Sequence, residues 1–323
     1  MDAFTTNMYV YVGLGTLVCV PNGVLTMCII CSRNNRSRRE FLLIVSQCAA
    51  DTIYAVAFIF IAAHRFHLAA TESLNATLTR WECARLPAFV LHDIATPLLG
   101  LIPLAMSVNF LISSIFPIWY MSSRSAYTAS LIAVPYGLSF AVLVTNYALL
   151  WSDKIRVSAL CLATAGGVHP VSYGIMITIR LLSNFGSAVV YFSIIAYMNS
   201  NHNRTLLTIS SSQKKLHRTA KFTLGMVTLN SISLLFIPDV LLLINPFNIA
   251  QKHTPFLYSL TLTKAIVNFI IYLTCYREIR GILFRSLCRQ ISPKKVSGNF
   301  SSIRVTVRNQ RRPPQPDRNV HKF

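Results

Sequence analysis

Apolar residues fall in seven long runs separated by short polar segments. The runs near Tyr9–Cys31, Phe41–Ala63, Leu86–Phe110, Tyr127–Leu150, Tyr173–Met198, Ala220–Asn245 and Phe256–Tyr276 each reach the roughly 20 residues that a helix needs to cross a bilayer core. Lipid offers no partner to an open backbone, so runs of this length predict helices. The pattern therefore predicts an all-α, polytopic membrane protein with a seven-transmembrane helix bundle over residues 1–288. Pro21, Pro97, Pro103, Pro135 and Pro238 fall inside the runs and predict kinks rather than helix ends. After the seventh run, Tyr276–Cys288 places Ile279, Ile282, Leu283, Ser286 and Leu287 on one helical face and Arg277, Arg280 and Arg285 elsewhere, which predicts a short interfacial helix.

Composition agrees with this reading: 53% of residues are hydrophobic and 12% are charged, against about 25% charged in a globular chain. A net charge of +20 would first suggest a nucleic-acid partner. The basic residues instead cluster between the apolar runs, which speaks for membrane topology and against nucleic acid. The first, third and fifth loops and the tail carry 22 Lys and Arg, while the other three loops carry six, Arg65 and Lys252 among them. The positive-inside rule then predicts a multi-pass protein with an extracellular N-terminus and a cytoplasmic C-terminus. The first run lacks a basic leader and is expected to act as its own signal anchor. Residues 289–323 are basic and poor in apolar side chains, and are expected to be a disordered tail attracted to anionic inner-leaflet lipid. Cys288 is a candidate for palmitoylation, with a plain thiol as the alternative.

No catalytic signature survives its context. Gly13-Leu-Gly15 and Cys28-Ile-Ile-Cys31 both lie inside the first apolar run, where helix packing explains them. The chain is read as a non-enzyme with no cofactor and no metal. Ionisable residues inside the membrane carry more information, because each is costly unless paired or hydrated. There are five: Asp51, Asp93, Arg180, Asp239 and Lys264. Asp93, Arg180 and Asp239, with His92 and Asn184 beside them, are expected either to pair as structural glue or to form a polar ligand pocket in the outer half of the bundle. Cys83 and Cys161 are the two cysteines on the oxidising side under this topology, which predicts a disulfide. The sequon Asn75-Ala-Thr77 also falls outside and is a candidate glycosylation site.

From Tyr9 to Cys288 the chain resembles a rhodopsin-like seven-helix receptor. Asn22, the Cys48-Ala-Ala-Asp51 block, Trp81 and Cys83, Pro238 and Asn268-Phe-Ile-Ile-Tyr272 stand in that family's order. The short N-terminal arm, the basic first loop and Phe116-Pro-Ile-Trp-Tyr120 resemble nematode serpentine chemoreceptors of the class called sx. The resemblance implies a chemosensory receptor for a small molecule or short peptide, partnered by a heterotrimeric G protein that would meet Asn109, Phe110, Arg124, Lys214, Lys215 and Arg218. It also implies an inner polar pocket of Asn22, Asp51, Lys264, Asn268 and Tyr272, where many relatives hold sodium. Lys264 stands one turn before Asn268 and is expected either to supply that charge itself or to snorkel away. The family's Asp-Arg-Tyr motif falls here on Asn109-Phe110-Leu111, and Phe269 replaces the proline of the seventh-helix motif. These departures leave open a receptor that does not couple and serves as a decoy or heteromer partner. A ligand-gated channel of the insect-chemoreceptor kind is a further alternative, but needs the opposite N-terminal orientation. A transporter is expected to show repeated halves, and none is visible.

Overall fold

The computed structural model describes residues 3–32, 38–123, 125–161, 167–200, 222–244, 249–281 and 283. Among the described residues, seven helices are long and apolar enough to cross a membrane. They are α1 (Ala3–Cys31), α2 (Arg39–Ala70), α3 (Pro87–Ile115), α4 (Ser125–Leu150), α5 (Pro170–Ser200), α6 (Phe222–Ile244) and α7 (Ile249–Cys275). Most begin earlier or end later than the apolar runs, because polar residues continue a helix beyond the hydrocarbon core at no backbone cost. One consequence corrects the loop count: Arg65 lies within α2, is buried, and donates from Nε to the carbonyl of Leu160 at 3.3 Å. Lys252, also assigned to a loop, falls within α7. Residues 277–281 are helical, and the remainder of the expected interfacial helix, Cys288 included, is outside the described residues apart from residue 283.

Pro21, Pro97, Pro103 and Pro135 lie inside their helices as expected, joined by Pro255 in α7. In α6 a π-helical turn at Ile232–Phe236 precedes Pro238. Such a turn inserts one extra residue and rotates the rest of the helix by about 100° relative to an uninterrupted one, and this decides where Asp239 points.

Gly15 and Gly100 mark close approaches between helices. A Cβ on Gly15 of α1 would sit 2.7 Å from Ile59 Cγ1 of α2, and one on Gly100 of α3 would sit 2.8 Å from the Arg180 carbonyl oxygen and 3.0 Å from Arg180 Cα. Gly100 therefore lets the backbone of α5 lie against α3 at the residue that carries a buried charge. Ser107 and Ser187 add a hydroxyl–hydroxyl bond of 2.7 Å between the same two helices. α2 and α4 are tied by the Tyr136 hydroxyl, which donates to the Ser46 carbonyl at 3.2 Å.

One end of the bundle is capped by the α2–α3 and α4–α5 connections. Strands β1 (Thr77–Thr79) and β2 (Arg156–Ser158) pair antiparallel, with Leu78 opposite Val157. Thr79 then caps the short helix Arg80–Ala84 in a reciprocal box with Glu82. The disulfide Cys83–Cys161 joins the connections with a Cα–Cα distance of 5.7 Å, and Cys161 lies at φ 45°, a conformation few non-glycine residues adopt. Arg80 pairs with Asp153 at 3.1 Å, and the Ile155 N–H donates to the same carboxylate at 2.8 Å. The Ile155 N–H first, with Arg80 adding to it, holds Asp153 below the usual carboxylate range; bonds from Thr79 do the same for Glu82. Asn75 stands exposed two residues before β1. The disulfide marks this as the upper end of the bundle.

Candidate functional site

Two buried ion pairs sit at different depths in the bundle. The upper pair joins α5 to α6: Arg180 Nε donates to Asp239 Oδ2 at 2.6 Å, and Nη2 donates to Oδ1. Both side chains are 1% exposed. A guanidinium fork on both oxygens of a carboxylate is the strongest form of this contact, and it fixes orientation as well as charge. Three features of the chain create it. Gly100 admits the α5 backbone, the π turn rotates Asp239 inward, and Asn184 donates its amide to the Arg180 carbonyl at 2.8 Å one turn along α5. Tyr54 of α2 and Tyr173 of α5 lie within electrostatic reach of Arg180. The hydroxyls of Tyr54, Tyr173 and Tyr258 are buried there without a hydrogen bond of normal geometry among the described residues.

His92 and Asp93 are buried too, yet Asp93 turns toward α4 rather than toward the upper pair. Asn146 Nδ2 donates to Asp93 Oδ2 at 2.8 Å, and His92 Nδ1 lies 3.4 Å from Oδ1. Asn146 Oδ1 in turn accepts from the His169 N–H at 3.0 Å, so this chain of bonds reaches the segment that enters α5. The His92 ring lies among aromatic rings, 5.8 Å from Tyr54, 6.0 Å from Phe58 and 6.1 Å from Tyr258. The structure thus brings Arg180, Asp239 and Asn184 together and turns Asp93 to the seam between α3 and α4, while the His92 ring lies against Tyr54 and Tyr258, two of the tyrosines beside the upper pair.

The lower pair joins α2 to α7. Lys264 Nζ lies 3.6 Å from Asp51 Oδ1, which also accepts from Gln47 Nε2 at 3.0 Å. Lys264 and Asn268 are fully buried. Asn230 of α6 donates its amide to Asn268 Oδ1 at 2.8 Å and to the Lys264 carbonyl at 2.9 Å, so three helices meet here. Asn22 and Tyr272 are buried, and neither Asn22 Nδ2 nor the Tyr272 hydroxyl has a hydrogen-bond partner among the described residues.

At the end opposite the disulfide, Phe110 packs with Ile194 of α5 and Leu224 of α6, and Asn109 is buried with Nδ2 3.5 Å from the Tyr120 hydroxyl. Of the residues expected on a partner-facing surface, Phe110 is thus turned into the bundle where α5 and α6 pack over α3, and Asn109 is buried beside the α3–α4 connection. Arg124, Lys214, Lys215 and Arg218 lie outside the described residues. Arg39 binds the α3–α4 connection, donating to the Tyr120 carbonyl at 2.7 Å and Ser123 Oγ at 2.6 Å with its guanidinium over the Tyr120 ring. Arg38 pairs with Glu278 beyond α7.

Sequence reasoning missed Asn230, Asn146, Gln47 and the tyrosines around the upper pair. Asn230 and Asn146 had a signal, an amide side chain within an apolar run, weaker than the formal charges nearby. Tyrosines within such runs read as ordinary core.

No curated protein matches the chain. A family model described as the serpentine type 7TM GPCR chemoreceptor Srsx matches residues 16–285, from the middle of α1 to beyond α7. Seven spans, the joined upper connections and this match over most of the sequence agree, and the chain belongs to the Srsx family of serpentine seven-transmembrane chemoreceptors.

Proposed function

We propose that the protein is a plasma-membrane receptor that binds a small molecule or short peptide at its extracellular, disulfide-bearing end and signals to a heterotrimeric G protein. The observation that carries this reading is the Arg180–Asp239 pair, which ties α5 to α6 directly after the π turn and just past Pro238. A ligand that competes for either partner changes how α6 packs on α5, and the break in regular helix geometry lets the segment nearer the cytoplasm respond as a unit. The result is a population shift between two packings, with the closed one held at the cytoplasmic end by Phe110, Ile194 and Leu224. Charge asymmetry supports the orientation: the connections at the disulfide end carry far fewer basic residues than the opposite loops and the tail. The basic residues outside the described segments suit a G-protein surface and anionic inner-leaflet lipid.

The test is to express the receptor in a heterologous cell with a set of Gα subunits and apply a panel of small water-soluble and volatile compounds. A compound whose effect requires the receptor and saturates supports the reading. Currents that persist when all G proteins are blocked would favour a channel instead.

A second reading, a receptor that does not couple and acts through a heteromer partner, is favoured by one observation: Phe110 stands where the resembled rhodopsin-like receptors carry arginine, and it is packed against Ile194 and Leu224. Phenylalanine lacks the charge-assisted contacts of a guanidinium. Basal activation is therefore expected to be weak, and Phe110→Arg to raise it. Strong wild-type activation, indifferent to substitution at Phe110, would remove the second reading.

A further inference from the structure

The lower cluster has the composition of a cation site and the wrong occupant for one. A buried carboxylate, Asp51, lies beside the Gln47 amide of α2 and near the Asn268 amide and Tyr272 hydroxyl of α7, and the resemblance to rhodopsin-like receptors implies a sodium ion beside it. The residues present do not fit that ion. A sodium ion needs oxygen ligands, whereas Asp51 Oδ1 already faces two nitrogen donors, Gln47 Nε2 at 3.0 Å and Lys264 Nζ at 3.6 Å. Among the side chains gathered there, Asn268 Oδ1 is committed to the Asn230 amide. A second cation would place two positive charges against one carboxylate in a region without solvent exposure, where like-charge repulsion is least screened.

We infer that Lys264 is a tethered cation that occupies a latent monovalent-cation site at Asp51, so that sodium has no specific site in the wild-type protein and gains one when the ammonium is removed. Lys264 reaches Asp51 from α7, and its own carbonyl accepts from Asn230 of α6 at 2.9 Å. The tethered charge therefore holds α2 to α7 continuously, at the point of α7 where the backbone carbonyl also receives α6, whereas a diffusible ion would do so only while bound. Resting-state stability becomes independent of extracellular salt composition, a property suited to a sensory protein exposed to an uncontrolled medium.

The full-length receptor in lipid nanodiscs tests this by thermal unfolding in sodium chloride and in N-methyl-D-glucamine chloride at equal ionic strength. Wild type and Lys264→Arg are expected to melt at the same temperature in both salts. Lys264→Met is expected to melt lower in N-methyl-D-glucamine and to recover saturably with sodium, by about 3 °C when sodium stands tenfold above its dissociation constant. Asp51→Asn/Lys264→Met, which leaves no lone buried charge, is expected to fold and to ignore sodium. A saturable sodium stabilisation of wild type that Asp51→Asn abolishes would overturn the inference, as would a folded Lys264→Met with no sodium response. Should Lys264→Met fail to fold in either salt, Lys264→Ala with sodium-23 relaxation on the nanodisc sample decides, and no sodium-specific broadening would overturn it. None of these outcomes depends on a ligand or on G-protein coupling.

Discussion

The upper and lower ion pairs have the same formal balance, one cation against one carboxylate, and different construction. Arg180 grips both oxygens of Asp239 with two nitrogens, at an orientation fixed by the planar fork. Lys264 meets one oxygen of Asp51 at 3.6 Å with a compact charge, and amides supply the rest of the surroundings. The first contact is specific in direction and the second mainly in charge. A pair that depends on direction can be broken by a small rotation of α6. One that depends on charge tolerates it. Under the proposed function, ligand response then belongs to the upper pair and resting stability to the lower.

The largest effect should come from removing one partner of either pair, because a lone charge is left in the core. Arg180→Gln, Asp239→Asn, Asp51→Asn and Lys264→Met are each expected to cost about 3–5 kcal/mol as singles. In a double-mutant cycle measured by thermal unfolding, Asp51→Asn/Lys264→Met should recover part of that loss. Additive losses would mean that the two groups do not interact.

Conservative exchange sharpens the contrast at a smaller scale. Arg180→Lys keeps the charge and loses the fork, and is expected to lower stability by more than Lys264→Arg does, since the lower pair needs only a cation near one oxygen. Equal melting temperatures for the two variants would remove the distinction.

The upper connections provide an effect of intermediate size with a different cause. Cys83→Ser and Cys161→Ser are each expected to cost about 2–5 kcal/mol and to reduce surface expression, with the double variant no worse than either single. A double variant clearly worse than both would show that each cysteine matters apart from the bond.

The smallest expected effect is acid sensitivity of that same cap. Asp153 and Glu82 bind protons less readily in the folded protein than in the unfolded chain. Their contribution is therefore complete above the ordinary carboxylate range, and is lost as pH falls through their lowered folded-state values. Hydrogen-exchange protection of β1 and β2, corrected for intrinsic rates, should decline below about pH 4. Asp153→Asn should flatten that decline.

The seven spans were legible because lipid imposes one rule on every residue of a crossing segment. Cys83–Cys161 was legible for a similar reason: topology sorts cysteines by compartment. Arg65 was misplaced because hydropathy marks where apolar residues stop, not where the helix does. The sequence also offered no means of choosing between a direct Arg180–Asp239 contact and a shared ligand, because the choice turns on one extra residue in the π turn at Ile232–Phe236 and on the absence of a Cβ at Gly100. Neither leaves a pattern at helical spacing. Asp93 illustrates the same limit: its depth in α3 was readable, while its rotation toward Asn146 depends on how α3 and α4 pack.

The most direct test of the account compares two charge-neutral double variants, Arg180→Gln/Asp239→Asn and Asp51→Asn/Lys264→Met, for surface expression and for response to a compound that activates the wild type. Both leave no unpaired buried charge, so both should reach the surface. The account predicts that the upper double variant is silent at every dose while the lower one still responds. An upper double variant that responds like the wild type would contradict it.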